Sequence, residues 1–416
     1  MNLFSSAFAD HAAPRSAMRA GMRLGHVGGV EIFADWSLLV VFALIAYSLA
    51  AGVFPSWHPD WGTPVALATA LGAALLFLAS VLVHELAHAL VGRLGGVRVR
   101  RITLFMLGGI AHLEGEPRTW RTELVMAAAG PVTSFVLGFA FLWLAGLVAG
   151  PIEVDPADPG SALAALSPLA TLLAWLGPVN LMLAAFNLLP GFPLDGGRVL
   201  RALLWGASGN LRRATRWASW SGRVLGGVLV GTGLLMLFGL AAPLLGGGPA
   251  SGLWLMFIGW FLHSAALASY AELVVKETLS AVPVARLMQT RLTRVDPDLT
   301  VQRLAEEHMM ASGQRVLPVE RGGRFLGLVS LSDLQKSEPR AWSRMSAAEI
   351  MTPVERLAWV RPGADAGEAL AELARRNVNQ LPVLDDDRLV GLLRREDLIK
   401  WLALHKVQAD VEAAAD

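Results

Sequence analysis

Long apolar runs alternate with short polar stretches over the first two thirds of the chain, and the pattern changes character near residue 276. Six runs, at about 36–54, 66–92, 122–149, 162–189, 219–240 and 252–272, each come close to or exceed the roughly 20 residues a helix needs to cross a bilayer. The intervening stretches differ in charge. Segments 55–64, 150–161 and 241–251 contain no Lys or Arg. The alternate stretches carry Arg15, Arg19 and Arg23, then Arg93, Arg98, Arg100, Arg101, Arg118 and Arg121, then Arg198, Arg201, Arg212, Arg213 and Arg216. The positive-inside rule makes the Arg-rich side cytoplasmic, and an even number of spans puts both termini there. The first run is long enough to span, so it reads as a membrane helix rather than a cleavable signal core.

From Lys276, the first lysine, the chain reads as a soluble α/β domain with an internal repeat. Leu317-Pro318-Val319 recurs as Leu381-Pro382-Val383, Gly327-Leu328-Val329 as Gly391-Leu392-Leu393, and Asp333-Leu334 as Asp397-Leu398, all at one offset. The entry segments Val284 to Met288 and Ala347 to Met351 also match, at an offset one residue shorter. Each unit predicts an amphipathic helix (301–311; 366–376), a strand at Leu-Pro-Val, a turn, a strand at the glycine, and a closing helix. Two such units pack as one compact domain. The expected layout is a cytoplasmic segment 1–35, a six-span domain 36–275, a paired-repeat domain 276–406 (repeats about 280–338 and 343–404), and a tail 407–416.

Composition narrows the chemistry. The 416 residues are 54% hydrophobic and 17% charged with net charge +1, which excludes a bulk-electrostatic partner such as nucleic acid. There is no cysteine, so a metal would need His, Asp or Glu. Within the second run, between Val65 and Val91, the one formal charge is Glu85 and the only histidines are His84 and His88. Ionisable groups at membrane depth are costly and mark function. His84-Glu85-Leu86-Ala87-His88 puts both imidazoles on one helix face, where they can hold Zn²⁺, with Glu85 as general base toward a water. A pair of hydrogen-bonded histidines or a proton relay is the competing reading. A third ligand is needed, and the best-placed carboxylate is Asp195 in the Pro/Gly-rich stretch Asn187 to Gly197, which follows the fourth run on the same side as the histidines. Asp195 alternatively N-caps a helix over 198–205. Gly130-Pro131 reads as a packing and kink device.

These motifs together resemble the site-2 protease family of intramembrane metalloproteases: His84-Glu85-x-x-His88, Ala129-Gly130-Pro131, Asn180, and Asn187-Leu-Leu-Pro-x-x-Pro-Leu-Asp195-Gly-Gly-Arg198. The C-terminal repeats resemble a tandem pair of cystathionine-β-synthase (CBS) modules. The two resemblances span about Gly28 to Lys406. They imply one Zn²⁺ per chain on His84, His88 and Asp195, Glu85 as the catalytic base, and Asn180 near the metal. They also imply a membrane-dipping Gly108-Gly109 segment that pairs with an unwound substrate strand. The implied substrate is the transmembrane segment of a single-span protein, cut within the plasma membrane. Ser330, Asp333 and Asp397 would contact an adenine nucleotide (ATP, ADP or AMP), and the CBS pair would support a homodimer. The second repeat departs from the family's Ser/Thr-x-x-Asp pattern with Arg394 where Ser330 stands in the first. Asp35 stands where many relatives carry His, and His112 where an Arg is common. A CBS-regulated channel or transporter is the other function class six spans allow.

Overall fold

The computed structural model describes residues 21–106, 108–114, 117–151, 161–239, 248–280, 282–312 and 314–415. Arg15 and Arg19, most of the 150–161 and 241–251 connections, and the side chain of His112 lie outside the described residues. Two units are distinguished, Met1–Ala271 and Glu272–Asp416.

Among the described residues, six helices are long and apolar enough to cross a membrane: α1 Ser37–Trp57, α2 Thr63–Leu94, α3 Trp120–Ala149, α4 Pro168–Asn187, α6 Leu211–Leu237 and α7 Pro249–Ser280. A shorter helix, α5 Asp195–Ser208, lies between α4 and α6. The fourth span begins later than its apolar run. Ser167 caps Ala170 N–H and Pro168 occupies the first turn, so the helix starts there and residues 165–167 separate it from the single turn Ser161–Ala164. The fifth span begins earlier, at Leu211, because Asn210 caps Arg213 N–H and the arginines of its first turns are tolerated at a helix end. At 32 residues α2 is about 48 Å long, against roughly 30 Å of hydrocarbon, and His84 lies about 15 Å from its C-terminal end.

Hydropathy does not anticipate the sheet beside these helices. Strands β1 Met22–Val27, β2 Val30–Ala34, β3 Arg98–Phe105 and β4 Gly108–Glu114 form one sheet in that order. β2 and β3 run parallel, with Glu31 opposite Arg101 and Ala34 opposite Leu104. β4 folds back on β3, with Phe105 opposite Gly108 and Leu104 opposite Gly109. Val30, Val99, Ile102 and Leu104 are buried with Ala89 of α2, and Leu38, Leu82 and Leu86 pack against them. The sheet is therefore bolted to the part of α2 that carries the histidines. The expected dipping segment 104–113 is a hairpin with β4 at the sheet edge.

The second unit contains the two repeats. A helix over 301–312, with a π-helical middle at Leu304–Met309, precedes β5 Val316–Arg321, β6 Arg324–Ser330 and α8 Leu331–Lys336. The short strand β7 Thr352–Pro353 pairs with β6, and the second repeat continues as α9 Ala366–Arg376, β8 Gln380–Asp385, β9 Arg388–Arg394 and α10 Arg395–Ala415. Its last helix continues through the stretch expected to be a tail. Val319 pairs with Gly327 across β5–β6, and Val383 with Gly391 across β8–β9. Leu317 and Leu381 are each fully buried in the core of their own repeat.

Candidate metal centre

His84 and His88 are one turn apart on α2 and both are buried. His88 Nδ1 lies 2.7 Å from the backbone carbonyl of Met126, and His84 Nδ1 lies 2.9 Å from Ser134 Oγ. A carbonyl only accepts, so His88 Nδ1 carries the proton, and in the neutral ring the lone pair is on Nε2, facing inward. The partner groups come from α3, which thus sets the orientation of both rings. The two Nε2 atoms are 3.2 Å apart, and each is 3.1 Å from Asp195 Oδ2.

Asp195 occupies the first position of α5, and Leu194 is the N-cap residue, so Asp195 does not cap the helix. Its carboxylate points at the imidazoles instead. The three atoms form a nearly equilateral triangle. Tetrahedral zinc with ligands at about 2.0–2.1 Å requires ligand atoms about 3.3–3.4 Å apart, and the observed edges fall just short of this. Among the described residues this is the one group of His, Asp or Glu with metal-binding geometry. The donor set of two imidazoles and one carboxylate, with outer hydrogen bonds already made, fits a catalytic zinc site.

Gly130 is more than a packing residue. A Cβ placed on it would come within 2.6 Å of His84 Nε2 and would collide with His88 Nε2. The bare backbone leaves open the space in front of the two nitrogens. Sequence reasoning assigned Gly130-Pro131 to helix packing, because the partner that needs the space lies 42 residues away in the chain.

Glu85 is half-buried and outside the triangle. Gly109, on the edge strand, covers it: a Cβ there would lie 2.6 Å from Glu85 Cδ and 2.9 Å from Oε1. Gly108 beside it has φ +133°, which also favours glycine. The hairpin is tethered at its turn, where Met106 N–H donates to Ser37 Oγ at 3.1 Å. Asp35 accepts from Ser37 N–H at 2.9 Å, and the Ser37 hydrogen bonds hold its carboxyl below the usual carboxylate range. Asp35 thus anchors the start of α1 and stands apart from the three-atom cluster.

Asn180 is fully buried on α4 and donates to Leu176 O at 2.9 Å, while its Oδ1 has no hydrogen-bond partner. It makes no hydrogen bond to the three-atom cluster. In the second unit, Ser330 N–H donates to Asp333 Oδ2 at 2.9 Å as one arm of a capping box on α8, and Ser330 Oγ–H donates to the same oxygen at 2.6 Å. Arg394 instead forks onto Asp397, with Nε to Oδ2 at 2.8 Å and Nη2 to Oδ1 at 2.7 Å.

Comparison with known proteins follows the same division. The model of peptidase family M50 matches residues 72–150 and 145–228, and the CBS domain model matches 284–339 and 347–404. The zinc metalloprotease Rip3 of Mycobacterium tuberculosis is 33% identical over 394 residues, covering 94% of this chain and 95% of its own. The zinc metalloprotease sll0528 of Synechocystis is 30% identical over 390 residues, covering 92% and 96%. The solved site-2 protease of Methanocaldococcus jannaschii is 26% identical, covers 60% of this chain and 95% of its own, and gives a TM-score of 0.38.

Proposed function

The chain belongs to peptidase family M50, the site-2 proteases, and is an intramembrane zinc metalloprotease with a CBS pair; on that premise we propose that His84, His88 and Asp195 hold the zinc, that Glu85 is the general base, and that the substrate is the transmembrane helix of a single-span protein. Family membership takes the place of the channel or transporter reading. The observation that carries the proposal is the triangle of Nε2, Nε2 and Oδ2 atoms with Glu85 one residue along the same helix.

Bound zinc supplies Lewis acidity, polarising the scissile carbonyl and making a water more acidic. The chain's residues do the rest. Glu85 takes a proton from the attacking water and returns it to the departing amine nitrogen. The Met126 carbonyl and Ser134 hold the imidazoles in the ligating orientation. The outer edge of β4, unpaired among the described residues, offers backbone groups to an extended substrate beside Glu85. A helical substrate must unwind to use that edge, which favours segments weakened by Gly, Pro or Asn. Asn180 Oδ1, buried and without a partner, is available to a substrate or oxyanion-bearing water network.

The Arg-rich connections orient the protein with its termini and CBS pair in the cytoplasm of a plasma membrane, which puts the zinc-bearing end of α2 near the cytoplasmic face. Adenine nucleotide at the CBS pair modulates access to the membrane site. Its first repeat offers Ser330 and Asp333, whereas Arg394 already occupies both carboxylate oxygens of Asp397 in the second. The CBS pair also serves homodimerisation. Addition of ATP, ADP or AMP is expected to raise thermal stability and change the cleavage rate; if neither moves with any of the three, the nucleotide part of the proposal is wrong.

The deciding experiment needs no substrate. Detergent-purified protein is expected to contain about one zinc per chain by elemental analysis. Protein that stays metal-free after reloading with zinc overturns the assignment. The space in front of the imidazoles gives a second test. Gly130→Ala is expected to weaken zinc binding at least about 10-fold, the scale of a disturbed outer shell. Gly146→Ala, on the same helix with nothing within 4 Å of its Cβ, should leave affinity unchanged. Equal affinities in the two variants would count against a metal at that spot.

A further inference from the structure

The third ligand sits at the start of a helix that no side chain caps. Leu194 is the N-cap residue of α5, so no side-chain cap at this end fixes Asp195 in register with the imidazoles of α2. The tie lies two turns further along. Arg201 Nε donates to Glu123 Oε1 at 2.6 Å, and Arg201 Nη2 donates to the same oxygen. Arg198 Nε approaches that oxygen at 3.9 Å, and the Arg201 guanidinium lies 5.3 Å from the Phe192 ring centre. Glu123 is 1% exposed and the Arg201 side chain 12% exposed, so this is a buried pair rather than a surface one.

Glu123 also belongs to a pattern on α3. Glu123, Met126, Gly130 and Ser134 are spaced three, four and four residues apart, which puts all four on one helix face, and all four are buried. Met126 O receives His88 Nδ1, Gly130 leaves the space in front of both Nε2 atoms, and Ser134 meets His84 Nδ1. Three members of this face therefore set the two histidines. The fourth is joined to the helix that begins with Asp195.

We propose that Glu123 is a positioning residue for the metal centre: through Arg201 it fixes α5 against α3 and so holds the Asp195 carboxylate at the distance zinc requires. The inference rests on the zinc assignment to His84, His88 and Asp195. One helix, α3, then references all three ligands, two through direct hydrogen bonds and one through a buried ion pair. A carboxylate in the first turn of α3 also lies at the favourable end of the helix dipole, so its place on that helix suits a negative partner for Arg201.

The test uses the full-length protein, wild type beside Glu123→Gln and Arg201→Lys. Gln keeps the shape of Glu123 but not its charge, and Lys keeps the charge of Arg201 but not its fork. Zinc release into excess chelator is expected to be at least about 10-fold faster in Glu123→Gln, with a smaller acceleration in Arg201→Lys. Cobalt(II)-loaded protein should show shifted d–d bands in both, because the carboxylate has moved relative to the imidazoles. A purely structural pair would lower thermal stability and leave release rate and cobalt spectrum as in the wild type, and that result overturns the inference. Should Glu123→Gln fail to fold, Arg201→Lys is decided by the same two readouts, and unchanged values there overturn it as well. A wild type that binds no zinc fails at the metal assignment itself, a failure seen before any variant is compared.

Discussion

Glu85→Gln is expected to keep about one zinc per chain and to lose at least about 10³-fold in cleavage of a single-span test segment carrying a helix-weakening residue. Both halves follow from where Glu85 sits. It is next to His84 in sequence, yet the three closely spaced ligand atoms come from His84, His88 and Asp195, so replacing its carboxylate with an amide removes no ligand. Gln is nearly isosteric and fits beneath Gly109, where a bulkier change would press on the hairpin. What the amide cannot do is accept a proton from water and return it to the leaving nitrogen. General acid–base groups contribute about 10²–10⁴-fold, and here one residue serves both transfers. Cleavage within a few-fold of wild type would remove Glu85 from the mechanism. Loss of zinc along with activity would mean that Glu85 is itself a ligand.

Asp195→Ala and His84→Ala are expected to lose zinc together with activity, each by more than the roughly 10–100-fold typical of outer-shell partners. Two imidazoles from one helix turn cannot complete a catalytic zinc site, which takes three protein ligands and one open position. The two substitutions test different things. His84 tests a pair already implied by its spacing on α2. Asp195 tests a contact across 111 and 107 residues of chain to His84 and His88. Zinc retained at full stoichiometry in Asp195→Ala would leave the histidines as a site with some other third ligand. Zinc retained in His84→Ala would dissolve the assignment altogether.

The contrast between those two variants marks how far local pattern reaches. A span of apolar residues declares itself because bilayer thickness sets its length, and each of the six spans overlaps its apolar run, the fifth starting at Leu211 rather than 219 and the sixth ending at Ser280 rather than 272. His84 and His88 are legible because helix periodicity alone brings i and i+4 together. The paired repeats are legible because the same core positions recur, Leu317 with Leu381 and Val319 with Val383. Strands β1 and β2 escaped notice. They are short, lie among charged residues such as Arg23 and Glu31, and pair locally only with each other, an isolated hairpin that joins a larger sheet only when β3 arrives parallel to β2 from some 70 residues away. Glu123 had a signal that went unused: an acid in the first turn of a spanning helix needs a cation, and Arg201 was among the candidates on the same side.

By itself the amino-acid sequence determined the six spans, the two α/β repeats, the histidine pair and the acid between them, since each depends on residues a few positions apart or on a repeated motif. Tertiary structure decided what completes the chemistry. It made Asp195 face the imidazoles rather than cap its helix, made Gly130 an opening in front of them, laid Gly109 over Glu85, and joined Glu123 to Arg201. Periodicity says which face a residue occupies on its own helix. Only packing says what stands opposite that face.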